Sequence, residues 1–161
     1  MNSENWLYII ISLVVFNYIF STVLNFINNK YWKDEIPPIM QDYYKKDNYI
    51  KAKKYAKEKG QINLISSTLS TLITLLFLIF KGYGYLNLLI SNYYEIPFLQ
   101  TSMFFLSLFV LSDLISIPFS CYNTFVIEEK YGFNKMTVKT FIFDKIKSYL
   151  LTIILGGALL Y

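Results

Sequence analysis

Tyr122-Asn123-Thr124-Phe125-Val126-Ile127-Glu128-Glu129-Lys130-Tyr131-Gly132-Phe133-Asn134 lies between two long apolar runs and sets an apolar triplet, Phe125 to Ile127, directly against three charges. Gly132 offers a helix stop, because glycine reaches the left-handed conformation without a Cβ penalty. Asn134 or Thr137 can then accept from the free N–H groups of a following helix. The stretch reads as the charged end of one helix, a turn, and the start of another. Glu128 and Glu129 fall in the last turn of the first helix, where negative charge opposes the helix dipole at about 0.3–1 kcal/mol each when exposed. Such a pair calls for a cation. Lys135 and Lys139 are near in sequence; a partner in a part of the protein missing from this sequence is the sharper reading, set against a simply solvated pair.

Outward from this stretch, the composition decides the class. The chain has 161 residues, 55% of them hydrophobic, 19% aromatic and 16% charged. Apolar runs of bilayer length exclude an ordinary soluble domain and predict an all-α, polytopic membrane protein. The expected spans are about 6–27, 62–80, 98–119 and 141–161, the last one truncated. They are joined by cytosolic loops 28–61 and 120–140 within a single multi-span domain at residues 1–161. No basic n-region or A-x-A site precedes or follows the first run, so it reads as a retained span rather than a signal peptide. The net charge of +4 comes from Lys alone, with neither Arg nor His. That usage suggests a low-GC, bacterial source. The lone Cys121 excludes an intramolecular disulfide and reads as a small buried hydrophobe, with palmitoylation as the alternative.

Within the first run, Asn17 and Asn25 are expected to face other helices, since lipid offers an amide no partner. Residues 28–61 carry nine Lys against five acids. Pro37-Pro38 break the chain there, and Asp47 can cap a helix from Asn48. The Lys and Tyr mixture has the look of a nucleic-acid surface. The flanking spans favour a basic cytosolic loop under the positive-inside rule, and no nucleic-acid partner is expected. Ser66, Ser67, Thr68, Ser70, Thr71 and Thr74 permit close helix packing or bond back to their own helix. Tyr83, Tyr85, Tyr93 and Tyr94 suit an interfacial belt, with Leu86 to Ile90 too short to cross. Pro97 suits the first turn of the third span, and Pro118 predicts a kink before its end. Asp113 is the one acid inside that span. It is a functional-site candidate by default, weighed against a structural pairing with a hydroxyl or Lys. From Ser148 onward the fourth run is short for a bilayer, and Gly156-Gly157 weaken its end as a helix, so it is expected to stop within the membrane.

The stretch Tyr122 to Asn134 closely resembles the signature of the CAAX prenyl protease type 1 family, membrane-embedded zinc metalloproteases. The likeness continues through Lys135, Thr137, Phe141 and Asp144 to Lys147, and reaches back to Pro118-Phe119-Ser120. A weaker match is Ile36-Pro37-Pro38 with Tyr49-Ile50-Lys51-Ala52 and Tyr55. Tyr131 departs from the signature where other members carry a different aromatic or a His. The resemblance implies that the N-terminal spans wall a large intramembrane chamber. It implies zinc-dependent peptide hydrolysis for the full-length family, on prenylated C-a-a-X proteins in eukaryotes. That chemistry uses H-E-x-x-H, with two imidazoles on one helix face and a general-base Glu.

With no His, this chain cannot contain that motif. It offers no catalytic residue, no metal ligand and no cofactor of its own. The expected function is the N-terminal chamber-wall portion of such a protease, inert alone, with the lipid bilayer and a downstream or separate catalytic half as partners. The alternative is a stand-alone membrane scaffold or partner subunit without protease activity. The expected location is a bacterial cytoplasmic membrane with the N-terminus outside, or the endoplasmic reticulum in a eukaryote.

Overall fold

The computed structural model describes residues 3–32, 35, 36, 41 and 45–160. Among these there is helix and no strand. The helices are α1 (Ser3–Tyr31), α2 (Lys46–Ile79), α3 (Gly82–Ser91), α4 (Pro97–Tyr122) and α5 (Val138–Leu160). A π-helical segment, Asn123–Glu128, and a final α turn, Glu129–Tyr131, continue α4 without a break. Among the described residues three helices are long and apolar enough to cross a membrane: α1, α2, and α4 with its extension. The protein is therefore a polytopic all-α membrane protein. α5 is not among the three. Asp144, Lys145 and Lys147 occupy its first half, so only its second half is continuously apolar.

The chain forms two compact units. The first holds α1, α2 as far as Leu75, and residues 119–134. Here α1 and α2 run antiparallel. The Tyr18 hydroxyl meets Thr68 Oγ1 at 2.8 Å, and Thr68 in turn donates to the Leu64 carbonyl at 2.7 Å. A threonine has one hydroxyl proton, so Tyr18 is the donor of the first bond. Ser67 and Thr74 likewise bond back to carbonyls of their own helix. Ser67, Thr68 and Thr74 of the hydroxyl cluster thus bond back to their own helix, and Thr68 lends one contact to α1. Asn17 is exposed, and its neighbour Tyr18 takes the α2-facing position.

The expected separate loop helix and second span are one element. α2 runs unbroken from Lys46 across the polar–apolar change, since no Gly–Pro signal interrupts the chain between Asn48 and Phe80. Asp47 sits inside its first turn rather than capping it, where its charge complements the dipole. Pro37-Pro38, in the weaker part of the family likeness, lie outside the described residues.

The second unit holds residues 76–118 and 135–161, of which 76–118 and 135–160 are described. The α2–α3 junction is tight. Lys81 adopts a left-handed φ of 56°. A Cβ on Gly82 would stand 2.8 Å from the Phe77 ring and 3.3 Å from its backbone Cα, so only glycine fits. Pro97 opens α4 as expected, and Pro118 is carried inside that helix. α5 remains helical through Gly156-Gly157 to Leu160, against the expected weak end. The propensity penalty of about 1 kcal/mol per glycine does not outweigh a long apolar helix.

Candidate functional site: a signature turn clamped onto α2

Within the first unit, the Tyr122–Asn134 stretch is a built object. Its carboxyl end is a complete Schellman motif. Gly132 takes φ 77°, its N–H donates to the Glu129 carbonyl at 3.0 Å, and the Phe133 N–H donates to the Glu128 carbonyl at 2.8 Å. The following helix is capped by Thr137, whose Oγ1 accepts from the Thr140 N–H at 3.2 Å. Asn134, the other capping candidate, instead donates from Nδ2 to Glu129 Oε2 at 2.9 Å. Ile127 is 2% exposed and Tyr131 6%. Among the described residues only Ile90 joins them as buried hydrophobics. The turn thus holds two of the three buried hydrophobic side chains among the described residues.

The anchor is the first half of α2. Glu128 pairs with Lys59 Nζ at 3.2 Å. Lys130 Nζ reaches Glu58 Oε1 at 2.6 Å, and the Tyr131 hydroxyl donates to the same oxygen at 3.1 Å. Tyr55 lies edge-on to both Tyr131, at 5.3 Å, and Phe133, at 5.0 Å. Lys51 Nζ stands 5.9 Å from the centroid of the Phe133 ring. Glu58 and Lys59 precede the continuously apolar part of α2 and lie outside the membrane-spanning segment. The Lys130 ammonium, foremost, and the Tyr131 hydroxyl hold the Glu58 carboxyl below its ordinary pKa of 4.5. The Tyr55 hydroxyl, then Glu128, push Lys59 up.

The expected partners of the two acids are therefore corrected. Neither Lys135 nor Lys139 pairs with Glu128; Lys59 does, 69 residues upstream. Glu58 and Lys59 escaped the sequence reading because sequence proximity, not crossing helices, was its guide. The available signal was complementarity: an acid–base doublet on one element facing the base and acid of the other. The π-helical segment leaves the Asn123 side-chain oxygen buried without a hydrogen-bond partner among the described residues. Such bulges recur where a helix bends its side chains to a task.

The other candidate, Asp113, belongs to the second unit. Its carboxylate accepts from Lys145 Nζ and from the Tyr149 hydroxyl, each at 2.5 Å, and from Ser116 Oγ at 3.5 Å. Phe109 packs edge-on against the Tyr149 ring at 5.6 Å. The acid is held by one ammonium and by hydroxyls, with its side chain 13% exposed.

The sequence model described as CAAX prenyl protease N-terminal, five membrane helices, matches residues 25–161. This chain belongs to that family. It is 35% identical over 145 residues to the "Probable CAAX prenyl protease 1" of Schizosaccharomyces pombe, covering 80% of this chain and 29% of that protein. It is 33% identical over 159 residues to the "CAAX prenyl protease 1 homolog" of Dictyostelium discoideum, covering 94% and 37%. Among solved structures it is similar to the crystal structure of S. mikatae Ste24p, with a TM-score of 0.86, 29% identity, and coverage of 97% of this chain and 38% of that one. The chain spans about a third of the length of the relatives it matches.

The zinc implied by the family does not fit the residues present. There is no His, and among the described residues no three of His, Cys, Asp and Glu gather into a group able to hold a metal. Asp113 and Glu58, the best-held carboxylates, are each engaged by an ammonium, which opposes cation binding.

Proposed function

We propose that this chain forms the membrane-embedded wall of a CAAX prenyl protease-like chamber, supplies no zinc ligand or catalytic base itself, and is inert without a catalytic half. The observation that carries the reading is the signature turn. Its residues form a capped corner locked to α2, and that corner comes in a chain without a single imidazole. A rigid corner where two long helices meet suits a wall, and the chemistry then falls to residues outside this sequence. In eukaryotic relatives the resemblance implies prenylated C-a-a-X substrates, and in bacterial ones broader membrane proteolysis.

The test is to purify the chain in detergent, measure zinc by elemental analysis, and assay cleavage of a farnesylated C-a-a-X peptide. The expected result is neither stoichiometric zinc nor cleavage alone. Cleavage is expected to appear when a family catalytic half is co-expressed and this chain replaces that protein's own N-terminal spans. One tightly bound zinc per chain would overturn the reading. Failure of every such pairing would favour the stand-alone scaffold.

The same proposal includes orientation. The two Lys-rich stretches, 29–61 and 130–147, hold fourteen of the fifteen Lys, and the contacts Lys59–Glu128 and Lys130–Glu58 support the first of them and the signature turn lying on one side of the membrane. The positive-inside rule makes that side the cytosol and leaves the N-terminus outside. In a Cys121→Ser background, Asn5→Cys is expected to react with an impermeant maleimide on intact cells and Lys54→Cys is not. The reverse pattern would invert the topology. The low-GC composition fits a bacterial cytoplasmic membrane, and the named relatives above are eukaryotic, where the endoplasmic reticulum is the corresponding site.

A further inference from the structure

A cavity of about 590 Å³ opens between α1 and α2 inside the first unit. Its position follows from the helix pairing. Tyr18 meets Thr68, and Asn29 faces Gly60, so each step along α1 lies against a step back along α2. Two boundaries coincide there. α1 changes from apolar to polar after Ile27, and α2 changes from polar to apolar at Gly60 to Ile62. The cavity straddles both changes. At one end it is walled by Phe26 and Leu64, both exposed, and at the other by Asn29, Lys53 and Lys57. Trp32 closes the polar end, edge-on to Tyr49 at 6.4 Å. No carboxylate is among the described lining residues.

This is a site with two ammonium-bearing side chains and amide donors above, and a greasy wall below, at the level where a membrane meets water. Tryptophan prefers that level. Basic pockets between spans on the cytosolic side are suited to anionic head groups, at about 1 kcal/mol per Lys near the surface. The cavity's size exceeds a bare anion and suits a phosphodiester with its glycerol. The apolar end continues onto the exposed face of α1 at Val23, where acyl chains can lie.

We infer that the α1–α2 cavity binds the phosphate head group of an anionic phospholipid, with Lys57 at the phosphate and Phe26 and Leu64 along the first methylenes of its chains. The site is independent of the protease reading. It requires only that the chain sits in a bilayer.

The chain has two tryptophans, Trp6 and Trp32, so Trp6→Phe leaves Trp32 as a reporter inside the cavity. The full chain with that change is reconstituted into vesicles of phosphatidylcholine containing brominated phosphatidylglycerol or brominated phosphatidylcholine, and Trp32 quenching is titrated. Brominated phosphatidylglycerol is expected to quench at a roughly five-fold lower mole fraction, in line with one lysine at the head group. Lys57→Gln is expected to remove most of that preference, and Gly60→Leu, which fills the cavity without altering charge, to do the same. Lys54→Gln carries the same charge change on α2 outside the cavity and is expected to keep the preference. Equal quenching by the two lipids would overturn the proposal. So would an equal loss in Lys54→Gln, which would mean a diffuse surface field. Displacement of the brominated lipid by millimolar inorganic phosphate would also overturn it, reassigning the cavity to free phosphate.

Discussion

Two ion-paired clusters, one in each compact unit, sit in opposite surroundings. The clamp on the signature turn uses four charged residues, Glu58, Lys59, Glu128 and Lys130, with side chains from 26% to 59% exposed. The Asp113 cluster uses one acid and one ammonium, at 13% and 27%, among apolar helices. In water, a pair gains little because each charge is already well solvated, and its use is to fix register. Among apolar groups the pair is not optional, because either charge left alone must be solvated by something costly. The clamp therefore leans on the buried Ile127 and Tyr131 for its strength and on its charges for alignment. The Asp113 cluster leans on the charges themselves.

The largest expected effect tests that contrast. Lys145→Met leaves the Asp113 carboxylate with hydroxyl donors only. It should destabilise the folded protein by about 2–3.5 kcal/mol, the scale for an unpaired acid within a span. Adding Asp113→Leu should recover most of the loss. The measurement is reversible unfolding in mixed micelles. If the single variant is as stable as the parent, the cluster is solvated and the contrast fails.

A smaller effect is expected at the turn. Gly132→Ala places a Cβ at φ 77°, where an L residue pays about 1–2 kcal/mol. Space is not the obstacle, since nothing lies within 4 Å of the added Cβ. Gly132→Asn should cost less than Gly132→Ala, because Asn tolerates the left-handed region. An equal cost for the two would point to packing and not to backbone conformation.

The smallest effect sharpens the picture of the clamp. Glu58 has its folded pKa held below 4.5 by Lys130, so its contribution is complete above the unfolded value and is lost as pH falls through the lower folded one. Stability should be flat with pH from neutrality down to about 4.5, and Glu58→Gln should flatten the further fall below it. The effect should shrink in high salt, as for any exposed pair. Salt-independent behaviour would place this pair in the same class as Asp113.

Much of this was legible in the residues. Gly132 as the stop, Pro97 as the start of α4, and continuation of that helix to Tyr131 follow from conformational rules that act over one or two turns. Hydrophobic length alone made the chain a helical membrane protein, because a bilayer admits backbone only when its polar groups are paired internally. The resemblance carried the family through thirteen residues whose spelling is specific. Lys51 and Tyr55 were already part of the weaker upstream likeness, and the structure brings them against Phe133 and Tyr131.

What tertiary structure alone decided is who meets whom. Local rules left Asn134 and Thr137 equal as caps; the choice went to Thr137 because Asn134 is drawn to Glu129. The partner of Glu128 is a lysine 69 residues away, and the partner of Asp113 is one 32 residues on. The α1–α2 cavity exists only because two polar–apolar boundaries arrive at the same level. Secondary structure is written in the nearest few residues, since hydrogen bonds and capping span one turn. Pairing across helices depends on their crossing and register, and those arise when the whole set of apolar faces, buried anchors and charges is satisfied together.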